Sequence, residues 1–187
     1  LHPRGSDEQP AYIDPTQCSS AGDPAAPPTG KFWQRWLFYN ADNKNGGICH
    51  GDVACPVLKD HLAGVPVLWK HNNGGNGAEH NGAQGAVNDW IRRSLSFTSE
   101  TCRPVQPVQV YYHMIGRCGE WADLTMAAGR AALIPTEVTG ARGNDHVWNE
   151  FYDHQWGRWI QWEPVNNMTN ASYGGWWGGL LFTTNTY

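Results

Sequence analysis

Charge is scarce in this chain. Asp, Glu, Lys and Arg make up 16% of its 187 residues, with a formal net charge of −4, against about a quarter in an ordinary globular chain. No basic block or stripe stands out, and without clustered Lys and Arg a nucleic-acid partner is excluded as the leading reading. No apolar run approaches the ~18 residues of a spanning helix, so no membrane span is expected. No two cysteines have CxxC spacing, which removes a zinc ribbon. His50, His71 and His80 sit in loop-like stretches at irregular spacing, so no metal is expected. GxxxxGK[ST] is missing, hence no phosphate cradle, and no cofactor is implied. No internal repeat is visible. The opening LHPRGS lacks Met, as expected of a processed chain or an excised fragment, so any signal peptide would lie out of view.

What the chain does have is length, tryptophan and five cysteines. A chain of this size buries roughly 70% of its unfolded surface and can hold a core without staples. The eleven tryptophans fit core packing better than ligand stacking, because large aromatics dominate cores. Cys18, Cys49, Cys55 and Cys102 lie in the first stretch of about a hundred residues, and Cys118 stands apart. Four plus one suggests two disulfides and one reactive thiol. Three pairings are possible, and Cys49–Cys55 with Cys18–Cys102 is one guess. The sequons at Asn167 and Asn170 add to the hint of an oxidising, secreted or periplasmic setting.

Residues 1–30 hold six of the twelve prolines and read as an extended arm, with residues 31–187 as one domain. KFWQRWLFYN (31–40) fits helix or strand. ACPVLKDHLAG suggests a short helix ending at Gly64. HNNGGNGAEHNGAQG (71–85) reads as a mobile loop. Val87, Trp90, Ile91 and Leu95 recur at helical spacing. VQVYYHM (108–114) is β-branched and aromatic and predicts a strand. Gly116 and Arg117 turn into a helix opening at Cys118, apolar nearly all round and therefore central. Three strands follow, TEVTGA, DHVWNEFYD and RWIQWEP, the last two joined near HQWG. The tail, 166–187, carries no Asp, Glu, Lys or Arg and is either packed on the core or a partner surface. The fold class is α+β, a Cys-bearing central helix on an antiparallel sheet, with a loop-rich N-terminal half.

Thiol chemistry needs a thiolate, a base and a group that orients the base. Cys118 at a helix start meets free N–H groups and the positive end of the dipole, which favour the thiolate. Glu120 and Asp123 oppose ionisation but project about 200° and 140° away around the helix. Alternation puts His146, Trp148, Glu150 and Tyr152 on one strand face. A hairpin centred on HQWG pairs position 146 with Glu163, whose carboxylate then holds the imidazole in one tautomer. His154 belongs to the turn and should be solvated. Singly, each of these residues has a blander reading as core or surface; their order is what selects them.

GRCGEWA (116–122), DHVWNE (145–150) and GRWIQWEP (157–164) resemble the motifs of the transglutaminase-like superfamily, most nearly its peptide N-glycanase branch. The likeness covers core motifs within residues 108–166. It implies a papain-like core, with Cys118 as nucleophile, His146 as base and then acid, and Glu163 as orienting acid, where the family usually has Asp. The zinc-binding CxxC pairs that precede the core in cytosolic glycanases have no counterpart here. The implied activity is attack on an amide bond of a protein or glycopeptide through a thioester, by a glycanase, deamidase or protease. Trp121 and Trp148 flank the site as candidate substrate-stacking residues. Two alternatives stay open: a transglutaminase joining Gln to amines, and an inactive binding or scaffold module.

Overall fold

The structure, a computed structural model, describes residues 33–39, 48–49, 53–54, 57–70, 81–98, 107, 110–111, 114–140 and 146–170. The arm of residues 1–30, the tail beyond 170, the 71–80 segment, and Cys18, Cys55 and Cys102 lie outside the described residues. Of Cys49 only the backbone is described, so the disulfide guess has no counterpart among them.

Four helices are described: α1 (Trp33–Tyr39), α2 (Leu58–Leu62), α3 (Gly82–Ser94) and α4 (Cys118–Ala131). The strands are β1 (Ile48–Cys49), β2 (Val53–Ala54), β3 (Ser96–Phe97), β4 (Ile115–Gly116), β5 (Thr136–Gly140), β6 (Val147–Asp153), β7 (Arg158–Glu163) and β8 (Met168–Thr169). β5 to β8 form an antiparallel sheet in chain order, while β3 pairs in parallel with β4. α4 packs on β5 and β6 and also meets α1 and α3. The class is α+β, and α4 is central as its apolar circumference predicts. Leu124, Ala127 and Ala128 in α4 share a core with Trp90 and Ile91 of α3 and with Phe151, Ile160 and Trp162 of the sheet.

Most of the tryptophans whose exposure is described are buried, while Trp159 is 40% exposed. Trp69, Trp90, Trp121, Trp148 and Trp162 are all buried. Trp69 meets Phe151 and Trp156 edge-on, at ring separations of 5.7 and 5.2 Å, and Phe151 meets Trp162 at 6.0 Å, the arrangement aromatic quadrupoles prefer.

Local chemistry sets the ends of the elements. α4 opens with Glu120 folded back, its carboxylate accepting the Arg117 N–H at 2.8 Å. This is the half of a capping box open to an Arg cap, since a guanidinium has no acceptor. The helix closes with the Ile134 N–H on the Gly129 carbonyl at 2.8 Å and Leu133 at φ +61, a Schellman-type end, and Pro135 prevents continuation. Between β6 and β7, the buried Asp153 accepts the N–H groups of Gln155 and Trp156 at 2.7 and 2.9 Å. That Asx turn, completed by Gly157 at φ +61, fixes the hairpin. His154 in this turn is exposed, as expected.

One open reading is decided and two expectations change. Within KFWQRWLFYN, Trp33–Tyr39 is helix. α3 begins at Gly82, inside the stretch that reads as loop. Gly82 lies at φ +62, and a Cβ there would stand 2.7 Å from the carbonyls of Val67 and Leu68; glycine is what lets the two segments touch. In 108–114, Val110 and Tyr111 are helical, not extended, and fully buried. Burial of the β-branched and aromatic side chains in the core overrides strand propensity.

Candidate active site

Cys118 is the first residue of α4 and a free thiol, partly exposed. His146 stands one residue before β6, and Glu163 is the last residue of β7. The structure brings the three together. His146 Nε2 lies 2.5 Å from Glu163 Oε2, with Glu163 fully buried. The other carboxylate oxygen accepts the Val165 N–H at 3.2 Å. With Nε2 engaged, the remaining ring nitrogen serves the thiol. The sulfur takes a hydrogen bond from His146 and further ones from the backbone N–H groups of Val147 and Gly119.

The electrostatics favour an ion pair. The His146 hydrogen bond is the main influence lowering the Cys118 pKa; burial works against it, and the two backbone donors add to the lowering. For His146 burial is the largest influence and opposes the charge. The hydrogen bonds and charges of Cys118 and Glu163 outweigh it and raise the imidazole to about 9. Both shifts favour a thiolate beside an imidazolium.

The register differs from the sequence expectation. Asn149 pairs with Trp162 and Asp153 with Arg158, so continuing the ladder sets Trp148, not position 146, opposite Glu163. The turn does occupy residues 154–157, HQWG, and counting outward from it sets 148 opposite 163, so the expected partner was two residues off. A shift of two keeps every side chain on its face, and His146 meets Glu163 diagonally rather than squarely.

Trp148 lies against the site, but Trp121 and Trp148 are only 5% and 3% exposed. Trp121 belongs to the core. The Trp148 ring stacks on His146, with centroids 6.0 Å apart and planes at 28°, and so walls the imidazole. Sequence reasoning missed Asn149, fully buried three residues after His146. Its Nδ2 donates to Ala122 O in the first turns of α4 at 2.9 Å and to Glu137 O of β5 at 3.2 Å. It thereby ties the Cys118 helix to the His146 strand. A polar residue on the core side of a strand, in the position where apolar residues alternate, was the available signal. Asp123 is half-buried on α4, and burial, then the charge of Glu120, raises its pKa to about 7. Among the described residues no group of His, Cys, Asp and Glu could hold a metal ion, and no helix is long and apolar enough to cross a membrane.

Residues 73–164 match the transglutaminase-like superfamily model, Transglut_core. These residues belong to the transglutaminase-like superfamily. The chain is also 32% identical over 93 residues to a peptide-N(4)-(N-acetyl-beta-glucosaminyl)asparagine amidase of Caenorhabditis briggsae, across 48% of this chain. The match spans 15% of that relative's length. A solved structure from Cytophaga hutchinsonii, provisionally named a cysteine protease, aligns over 55% of this chain and 40% of its own, at 21% identity and a TM-score of 0.36. The transglutaminase-like segment contains α3, α4, β5, β6 and β7, and with them Cys118, His146 and Glu163.

Proposed function

We propose that this protein is a cysteine-dependent amidase that acts on an amide of a protein or glycopeptide through a thioester. The observation that carries the reading is the convergence of a helix-opening thiol, an imidazole and a buried carboxylate. The Cys118 thiolate adds to the amide carbonyl, and the carbonyl oxygen takes the negative charge. The backbone N–H of Cys118, at the helix start, is suited to hold that oxyanion. The His146 imidazolium gives its proton to the departing nitrogen, the C–N bond breaks, and a thioester remains. Neutral His146 then takes a proton from water, the hydroxide adds to the thioester, and the thiolate leaves. The net change is amide plus water to acid plus amine. Glu163 stabilises the imidazolium and fixes the ring while Trp148 walls it.

The likeness to a glycoasparagine amidase favours the side-chain amide of a glycosylated Asn as the bond cleaved, with Asp left in the peptide. Incubation with an Asn-glycosylated peptide, and separately with a Gln peptide plus a primary amine, tests this by mass spectrometry. Glycan release with conversion of Asn to Asp, abolished by Cys118→Ala, is expected. Amine incorporation would instead make the protein a transglutaminase, and backbone cleavage a protease. No turnover of any of these by wild-type protein, with Cys118 unreactive, would favour a scaffold.

A further inference from the structure

Along α3, Gln84, Asn88 and Arg92 recur every fourth residue and share one side of the helix. Each of the three has a side-chain partner within residues 162–169. Gln84 Nε2 donates to Thr169 Oγ1 and Asn88 Nδ2 to Asn167 Oδ1, both at 3.0 Å. Arg92 Nη1 donates to the carbonyls of Pro164 and Val165 at 2.9 and 3.2 Å. Asn88 Oδ1 in turn accepts the indole N–H of Trp162 at 2.9 Å. So α3 grips the residue before Glu163 and the turn after it. The turn is closed by the Asn167 N–H on Pro164 O at 3.3 Å, with Asn167 at φ +55. From within it the Val165 N–H reaches back to the Glu163 carboxylate.

We infer that Asn88 and Arg92 are positioning residues for Glu163, fixing the backbone on both sides of it so that its carboxylate ends at His146 Nε2. The inference rests on the Cys118–His146–Glu163 reading above. Glutamate has one more rotatable bond than aspartate, so its carboxylate has more places to go and loses more rotamer freedom when held. A site tolerates only about 0.5 Å of misplacement. Fixing residues 162, 164 and 165 takes backbone drift out of that tolerance. Neither Asn88 nor Arg92 reaches His146; the charged groups on the imidazole are Cys118 from α4 and Glu163 from β7.

The test is the rate of Cys118 alkylation by iodoacetamide as a function of pH, mapped by mass spectrometry, alongside each variant's melting temperature. Wild-type protein should react well below the pH at which an ordinary thiol ionises. Arg92→Gln and Asn88→Leu should move that acid limb upward and slow the reaction at pH 6 about three- to tenfold, a pKa change of about half to one. Arg92 is exposed, so its variant keeps the fold even where Asn88→Leu does not. Arg93→Gln, which breaks only a surface pair with Asp89, should change nothing. In a Glu163→Gln background, Arg92→Gln should add no further shift, because the path is already cut. Lower melting temperatures with an unmoved acid limb, or additive shifts in the Glu163→Gln background, would overturn the inference. A wild-type protein without an acid limb would instead overturn the catalytic reading itself.

Discussion

Replacing Asp123 by Asn removes a charge that the fold accommodates badly. The carboxyl sits on the central helix, and burial with the nearby Glu120 raises its pKa from 3.8 to about 7. At about 1.4 kcal/mol per pKa unit, carrying that charge above pH 7 costs on the order of 4 kcal/mol. Residual contact with water reduces this, so about 2–4 kcal/mol is the working range. The sign follows from proton counting. Between pH 4 and 7 the folded state holds a proton that the unfolded state has released, so stability falls as pH rises through this window and levels off above it. Asp123→Asn lacks the titration. Its stability relative to wild type should be greater by about 1 kcal/mol at pH 4.5 and by about 2–4 kcal/mol at pH 8. Urea unfolding at several pH values measures this, and taking the difference between variant and wild type cancels the titrations of Cys118 and His146. A difference that stays constant with pH would refute the reasoning, because Asp123 would then ionise alike in both states.

Other perturbations have clear directions. Asn149→Ala should cost about 2–4 kcal/mol in urea unfolding, since two buried hydrogen bonds go and a void opens; a loss below about 1 kcal/mol would show that Asn149 does not tie α4 to the sheet. Gly129→Ala should lower the melting temperature despite the ~1 kcal/mol that alanine offers a helix. A Cβ there would stand 2.4 Å from Thr136 Oγ1, in the close contact between α4 and β5. A rise in melting temperature would mean that this contact relaxes freely.

The parts legible in the sequence are those where periodicity and burial agree. α4 is apolar nearly all round, and β5, β6 and β7 alternate between turn residues, so the helix-on-sheet core and the shared side of His146 and Glu163 follow from pattern alone. The pairing of Trp148 with Glu163 was legible as well, since it follows from counting outward from HQWG, and the Asp153 turn holds the chain at that place. The start of α3 was hidden by Gly82, which serves a close crossing rather than a loop. Val110 and Tyr111 show propensity overridden by the core. The polar stripe of Gln84, Asn88 and Arg92 was written at fourth-residue spacing, but beside a stronger apolar stripe it reads as a solvated face. Only the position of residues 162–169 shows that it faces protein.

The most direct measurement is an NMR titration of the His146 ring in wild-type protein and in Cys118→Ala. A thiolate–imidazolium pair held by Glu163 gives a wild-type midpoint of about 9. Removing the sulfur should lower it by about one unit or more. A midpoint near the ordinary histidine value, unmoved by Cys118→Ala, would mean that thiol and imidazole do not share a proton, and the thioester chemistry would have no resting state to start from.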